Sequence, residues 1–214
     1  MATGKGEEIT MSTQLAAQST EERVFAVATD MLFEYGYHGT TLRALAEAVG
    51  ITTPSIYYHI QSKQNLLYTI MKRILTDVHS EVLAATAAVD DPWMRLEAAI
   101  EAHITMHAER RKEVFIADSE VRALEGDYRT EIVAIRDEYG RFYKELVRAC
   151  LDEAHVSGPD VDLMSYAILS TCTGVASWYS PKGRHAIEFI ARQYATLIRS
   201  GLASYDVRPA HDQQ

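Results

Sequence analysis

The stretch 48–76 contains no aspartate or glutamate, although the 214-residue chain carries 30 acidic residues against 21 basic ones. At the chain-average frequency it would hold about four, and their absence leaves a surface that a polyanion can approach. Cysteine is scarce as well. Cys150 and Cys172 alone make neither a disulfide framework nor a four-ligand zinc site, and they demand no oxidising compartment. The start, MATGKGEEITMSTQLAAQ, lacks the continuous apolar core of a secretory signal, so residues 1–18 read as a disordered leader. Residues 163–181 are uncharged and near spanning length, but Ser165, Ser170, Thr171, Thr173, Ser177 and Ser180 make them too polar for lipid. They read as a helix buried against protein, with no membrane partner. No Gly-rich phosphate loop, no Gly-x-Ser-x-Gly elbow and no paired catalytic carboxylates stand out, so neither enzymatic activity nor a cofactor is expected. The chain reads as cytoplasmic.

What is present is helical periodicity. Apolar residues make up 47% of the chain, glycine and proline sit mainly at segment ends, and strand alternation is almost absent. The expected fold class is all-α with about nine helices. A first helix over 20–35 has Ser19 as N-cap and Glu22 at capping-box spacing, an apolar stripe of Val24, Ala28, Met31, Leu32 and Tyr35, and Gly36 at its end. Thr41 caps a second helix with Leu42, Leu45, Ala46 and Val49 facing inward, and Gly50 suits its left-handed terminus. Thr53 is expected to cap a third, with Pro54 at the first position. Two short helices about a glycine turn make a helix-turn-helix. Ser62 caps a fourth helix, with Leu66, Leu67, Ile70, Ile74 and Val78, long enough to connect this module to the next. Five more helical stretches follow, roughly 92–110, 112–124, 128–154, 161–179 and 185–204.

A formal charge of −9 opposes non-specific adhesion to nucleic acid, so any such binding must use a local basic face. From Thr40 to Arg73 the charged residues are Arg43, Glu47, Lys63, Lys72 and Arg73, a balance of +3. Lys63 in a first helical turn opposes the helix dipole unless an anion lies there, when backbone amides and ammonium share it. The hydroxyls of the adjacent Tyr57 and Tyr58 point apart around a short helix. With Thr52, Thr53, Ser55 and His59 they form a cluster of donors of the kind that contacts DNA backbone and base edges. Singly, each residue suits packing equally well.

The segment EERVFAVATDMLFEYGYHGTTLRALAEAVGITTPSIYYHIQSKQNLLYTIM resembles the amino-terminal domain of the tetracycline-repressor family of bacterial regulators. The likeness lies in aromatic-Gly-Tyr before the second helix, Thr-Thr-Leu-Arg at its start, Gly-Ile-Thr at the turn, Tyr-Tyr-His in the recognition helix and Ser-Lys opening the fourth. It implies operator contacts from Thr41, Thr52, Tyr57, Tyr58, His59 and Lys63, with Arg43, Thr53 and Ser55 as further candidates. Pro54 departs from the family pattern, standing where glycine or another small residue is frequent. The resemblance also implies a homodimer on double-stranded operator DNA, a small-molecule effector, and dimerisation through the last two helices. The expected division is a helix-turn-helix domain over 19–75, an effector-binding and dimerisation domain over 76–205, and a flexible tail over 206–214.

In the larger half, polar or aromatic residues at inward positions are candidates for an effector pocket: His103, Met106 and His107 on one helix, Tyr139, Phe142 and Tyr143 on the next long one, and Trp178. Residues of these types at such positions more often serve core packing than ligand contact. His103 and His107 have the i, i+4 spacing of a metal site without the glutamate beside the first histidine, and no metal is expected. The closing helices with WYSPKGR resemble, more loosely, family members that respond to acyl-CoA thioesters. Arg110, Arg111 and Lys112 then become candidates for a CoA phosphate, or simply a solvated helix end. Two other functions stay open: a helical ligand-binding protein that has lost DNA binding, and a metal-dependent helical enzyme using the histidine pair.

Overall fold

The computed structural model describes residues 19–205; the leader expected over 1–18 and the tail over 206–214 lie outside them. Every regular element among the described residues is helical. The helices are α1 (Thr20–Gly39), α2 (Leu42–Val49), α3 (Thr53–Ile56), α4 (Lys63–Thr86), α5 (Pro92–Glu109), α6 (Arg111–Ser119), α7 (Gly126–Glu153), α8 (Val161–Thr173), α9 (Val175–Trp178) and α10 (Ile187–Ala203), with one 3-10 turn at Val121–Ala123. Counting α8 and α9 as one interrupted helix gives the nine expected.

Local capping chemistry places the first four. Ser19 and Glu22 close a reciprocal capping box at the start of α1. Thr41 Oγ1 accepts from the Ala44 amide, Ser62 Oγ from that of Asn65, and Gly50 ends α2 at φ 80°. Helical hydrogen bonding resumes beyond Gly36, which breaks α1 with φ 68° and ψ 176°, and continues to Gly39. One cap differs from expectation. Thr52, not Thr53, caps α3, its Oγ1 accepting from the Ser55 amide, so Pro54 stands one position further into the first turn, where its missing N–H still costs nothing.

Two apolar clusters fill the interior. The first joins Val24, Ala28 and Leu32 of α1, Leu45 and Val49 of α2, and Ile56 and Ile60 to the buried side of α4 as far as Val78. It does not stop at residue 75: Val114, Ile116 and Ala117 of α6, with Leu124 and Ile132, complete it. The second cluster joins α5, α7, α8 and α10 through Leu96, Ile100, Tyr143, Val147, Ile168 and Ala191, with Val82 from the far end of α4.

Three expectations from periodicity are corrected. The segment 112–124 is not one helix, because α6 ends at Ser119 and a 3-10 turn follows. The segment 161–179 breaks at Gly174. Nor is it buried all round: Ser165, Ile168, Cys172 and Val175 face inward, whereas Leu163 and Tyr166 are 59% and 73% exposed. No described helix is long and apolar enough to cross a membrane.

Gly36 occupies a region of backbone space that is essentially reserved for glycine, and an added Cβ would lie 3.2 Å from Glu120 Oε1. Gly36→Ala should therefore lower the unfolding free energy by about 1–3 kcal/mol, read by urea denaturation.

A candidate nucleic-acid interface and a candidate effector cavity

The candidate DNA-contacting residues lie at the starts of α2, α3 and α4 and in the turn between the last two. Buried Ile56 and Ile60 anchor α3 and that turn, which turns the intervening pair outward: Tyr57 is 57% exposed and Tyr58 88%. Thr41, Arg43, Thr52 and Thr53 are exposed, and Ser55, His59 and Lys63 are half-buried. The hydroxyls of Thr52 and Ser55 are 2.7 Å apart and hydrogen-bonded, so the pair presents one spare donor rather than two. Lys63 Nζ lies 4.1 Å from the centroid of the Tyr37 ring, a cation–π contact that holds the ammonium beside its own helix terminus. Partial burial lowers the Lys63 pKa, and the Glu120 carboxylate opposes that shift.

The local charge balance shrinks on folding. Lys72 pairs with Glu131 from α7, and Arg73 pairs with Glu21 while its guanidinium covers the Phe25 ring at 4.1 Å. Of the four cations counted in the sequence, Arg43 and Lys63 have no ion-pair partner among the described residues.

Beside Lys63, Gln64 ties this module to the larger half. Its Nε2 donates to the Tyr37 hydroxyl at 2.9 Å and to the Ala123 carbonyl at 2.7 Å, and its Oε1 accepts from the Glu125 amide at 3.2 Å. A carbonyl only accepts and an amide only donates, so these backbone partners fix the orientation of the side-chain amide. Nothing in the local sequence marked Gln64, because its backbone partners lie about 60 residues further along the chain and Tyr37 lies 27 residues before it. Tyr68 stacks on Tyr128 at 4.6 Å, and Phe33 meets Phe115 edge-on at 5.2 Å, extending the junction.

A cavity of about 130 Å³ lies between α4, α5, α6, α7 and α8. Its wall includes Ile74, Leu75 and Val78 of the connector helix, His103 and His107 of α5, Val114, Ala117 and Asp118 of α6, Ile135, Arg136 and Tyr139 of α7, and Leu169 and Thr173 of α8. Three of the seven residues named from sequence, His103, His107 and Tyr139, line it. The other four do not. Met106 packs on the first apolar cluster, and Phe142 on the second and against His79. Tyr143 is fully buried with its hydroxyl donating to the Ala99 carbonyl at 2.9 Å, and Trp178 is 54% exposed at the end of α9. Sequence reasoning missed Asp118, Arg136 and Thr173, which reach the cavity from segments unrelated in sequence.

The histidines are stacked rather than convergent, with ring centroids 3.8 Å apart. His103 Nδ1 bonds the Tyr139 hydroxyl at 2.8 Å and its Nε2 the Thr173 hydroxyl at 3.2 Å; His107 Nδ1 donates to the His103 carbonyl at 2.8 Å. Three of the four ring nitrogens are thus engaged within the protein. Among the described residues no group of three His, Cys, Asp or Glu side chains gathers to hold a metal. The three cations considered for a CoA phosphate serve as ties instead: Arg110 pairs with Asp77 and Glu113, Arg111 Nε donates to the Ala176 carbonyl, and Lys112 pairs with Asp30. Past the Asp118–Arg136 pair, 3.2 Å apart, a groove of about 520 Å³ continues the cavity outward between α7 and α8, flanked by Arg136, Arg141, Lys144 and Tyr166.

A helix-turn-helix whose connector helix also walls an internal cavity defines a one-component regulator, in which one chain both reads DNA and senses a ligand. Comparison with known proteins gives the family. The model described as "Tetracyclin repressor-like, C-terminal domain" matches residues 89–202, and "Bacterial regulatory proteins, tetR family" matches residues 24–69. The chain belongs to the tetracycline-repressor family and is a transcriptional regulator, not an enzyme. It is similar to the HTH-type transcriptional repressor KstR2 of Rhodococcus jostii, 27% identical over 83% of this chain and 88% of that protein. Among solved structures, AibR in complex with isovaleryl coenzyme A and operator DNA superimposes with a TM-score of 0.76 at 26% identity, covering 84% of this chain and 97% of that one. The ketosteroid transcriptional regulator KstR2 of Mycobacterium tuberculosis gives 0.79 at 21% identity over 86% and 95%, a likeness of fold.

Burial holds His107 down at about 4 from an ordinary 6.5, and burial, with the neighbouring His107, holds His103 well below it. The unfolded chain therefore takes up protons first as pH falls, and stability drops between pH 6.5 and pH 4 rather than rising. His107 alone should remove about 2 kcal/mol of unfolding free energy between about pH 7 and about pH 5, with His103 adding in the same sense. Denaturation across that range, with His107→Gln flattening the slope, checks this.

Proposed function

We propose that the chain is a homodimeric, cytoplasmic repressor that binds a palindromic operator and is released when a small hydrophobic or acyl-CoA effector enters the cavity. The observation that carries this reading is the span of α4. Its first residues, Lys63 and Gln64, stand at the candidate DNA face, and Ile74, Leu75 and Val78 of the same helix wall the cavity. At 1.5 Å per residue these positions lie about 15–23 Å apart on one rigid rod. An effector that displaces the middle of α4 displaces its start, and with it the spacing of two recognition helices that must meet major grooves about 34–36 Å apart. Coupling of about 1–3 kcal/mol weakens operator affinity roughly 5- to 150-fold.

Two relatives support the sense of regulation and the effector class: KstR2 is a transcriptional repressor, and AibR was crystallised in complex with isovaleryl coenzyme A and operator DNA. The form of the site supports the same class. The inner cavity suits a compact acyl group, and in the groove outside it Arg141, with no ion-pair partner among the described residues, is available to a phosphorylated carrier. For the dimer, α8 and α10 leave Leu163, Tyr166, Phe189 and Leu197 exposed, apolar surface of the kind a helix-on-helix interface covers. In the DNA complex, Thr41, Arg43, Thr52, Thr53, Ser55, Tyr58 and His59 face bases or backbone, and Tyr57 and Lys63 take phosphates.

Fluorescence-anisotropy titration against DNA from upstream of the gene and its neighbours, over a salt series, tests the reading. One fragment should bind tightly and with steep salt dependence, two protomers per site, and an acyl coenzyme A should release it. Equal weak binding to every fragment would overturn it. Lys63→Ala should lower the slope of log K against log salt by about one, and Tyr57→Phe should weaken operator and scrambled DNA alike.

A further inference from the structure

Of the ring nitrogens of the two histidines on the cavity wall, one is left over. His107 Nδ1 faces a backbone carbonyl, which can only accept, so that nitrogen carries the ring proton. The ring is 93% buried, its residue exposure being 7%, and burial keeps it neutral near pH 7. A neutral imidazole with its proton on Nδ1 presents Nε2 as a bare acceptor. No hydrogen bond to Nε2 exists among the described residues, and none of their fully enclosed side-chain nitrogens or oxygens lacks a partner. The atom therefore remains reachable, and the space that His107 lines is the cavity. The neighbouring polar groups are otherwise occupied: His103 by Tyr139 and Thr173, and Arg136 by the Ala117 carbonyl and Asp118.

We propose that the part of the effector that enters this cavity carries a hydroxyl group, which donates its proton to Nε2 of His107. The inference rests on the reading of the cavity as the effector site and adds the chemistry of the buried group. A plain hydrocarbon would enclose the acceptor unsatisfied. A carboxylate, ketone or ester oxygen would set lone pair against lone pair. A hydroxyl satisfies the nitrogen and leaves the rest of the buried group apolar, as Ile74, Val78, Val114 and Leu169 require. In size the space is comparable with engineered cavities of about 150 Å³ that hold benzene, so the buried group is a hydroxylated ring or short branched chain.

Cyclohexanol and cyclohexanone match in shape and differ in whether they donate, and they serve as probes with the full-length protein. Titration calorimetry should show cyclohexanol bound about ten-fold more tightly than the ketone, with His107→Phe levelling the two. Nitrogen NMR of the imidazoles gives a reading that needs no variant: the His107 Nε2 resonance should shift with the alcohol and stay in place with the ketone. Equal binding of both probes with no shift at Nε2 would mean that water satisfies the nitrogen and would overturn the hydroxyl proposal alone. Binding of neither probe would overturn the cavity as an effector site, and this inference with it.

Discussion

The buried side of α4 is shared between both halves of the molecule, and the rest of the structure depends on that sharing. Leu66, Leu67, Ile70, Met71, Ile74 and Val78 belong to the cluster that also holds the helix-turn-helix, while Val82 belongs to the cluster of the larger half. A close-packed helix does not deform locally, because each side chain is wedged among neighbours. Whatever moves the middle of α4 must therefore move either its start or everything packed on it. The first cluster also draws in Val114, Ile116 and Ala117 of α6, so the cavity wall and the DNA-reading module rest on common ground.

The contacts across this junction are unequal in strength. Lys72 with Glu131 is a fully exposed pair, and Lys112 with Asp30 and Arg110 with Asp77 are largely exposed ones that contribute about 0–1 kcal/mol each. Gln64 differs, since its amide is matched to backbone groups of fixed direction next to the ammonium of Lys63. These ionic ties and the one directional clasp supplement the apolar cluster that α4 and α6 share across the junction. The −9 chain also uses its basic residues sparingly: of the four cations counted near the helix-turn-helix, Lys72 and Arg73 fasten elements together, leaving Arg43 and Lys63 to the candidate interface.

The cavity has a different electrostatic character from the groove outside it. Inside, the two histidines are neutral by burial and a Tyr139–His103–Thr173 chain satisfies itself. Outside, charges of both signs line the groove: Asp118 and Asp137 with Arg136, Arg141 and Lys144, the last paired with Asp162.

Much of the DNA-reading module was legible because its signals are local. Ser19 with Glu22, Thr41, Gly50 and Ser62 terminate helices through bonds within four residues, and the apolar stripe of α4 needs only helical spacing. Even the misplaced cap at Thr53 was wrong by one residue, since Thr52 and Thr53 offer the same hydroxyl. The larger half resisted reading because its site is made by separation in sequence. Asp118, Arg136 and Thr173 meet only after α6, α7 and α8 pack, and the diversion of Arg110, Arg111 and Lys112 into ties depends on partners on α1, α4 and α9. Sequence by itself determined where the helices start and which face of each is apolar, since capping and periodicity act over a few residues. Only the tertiary structure decided which histidine nitrogen is left facing the cavity, because that depends on which other groups the packed helices bring within hydrogen-bonding distance.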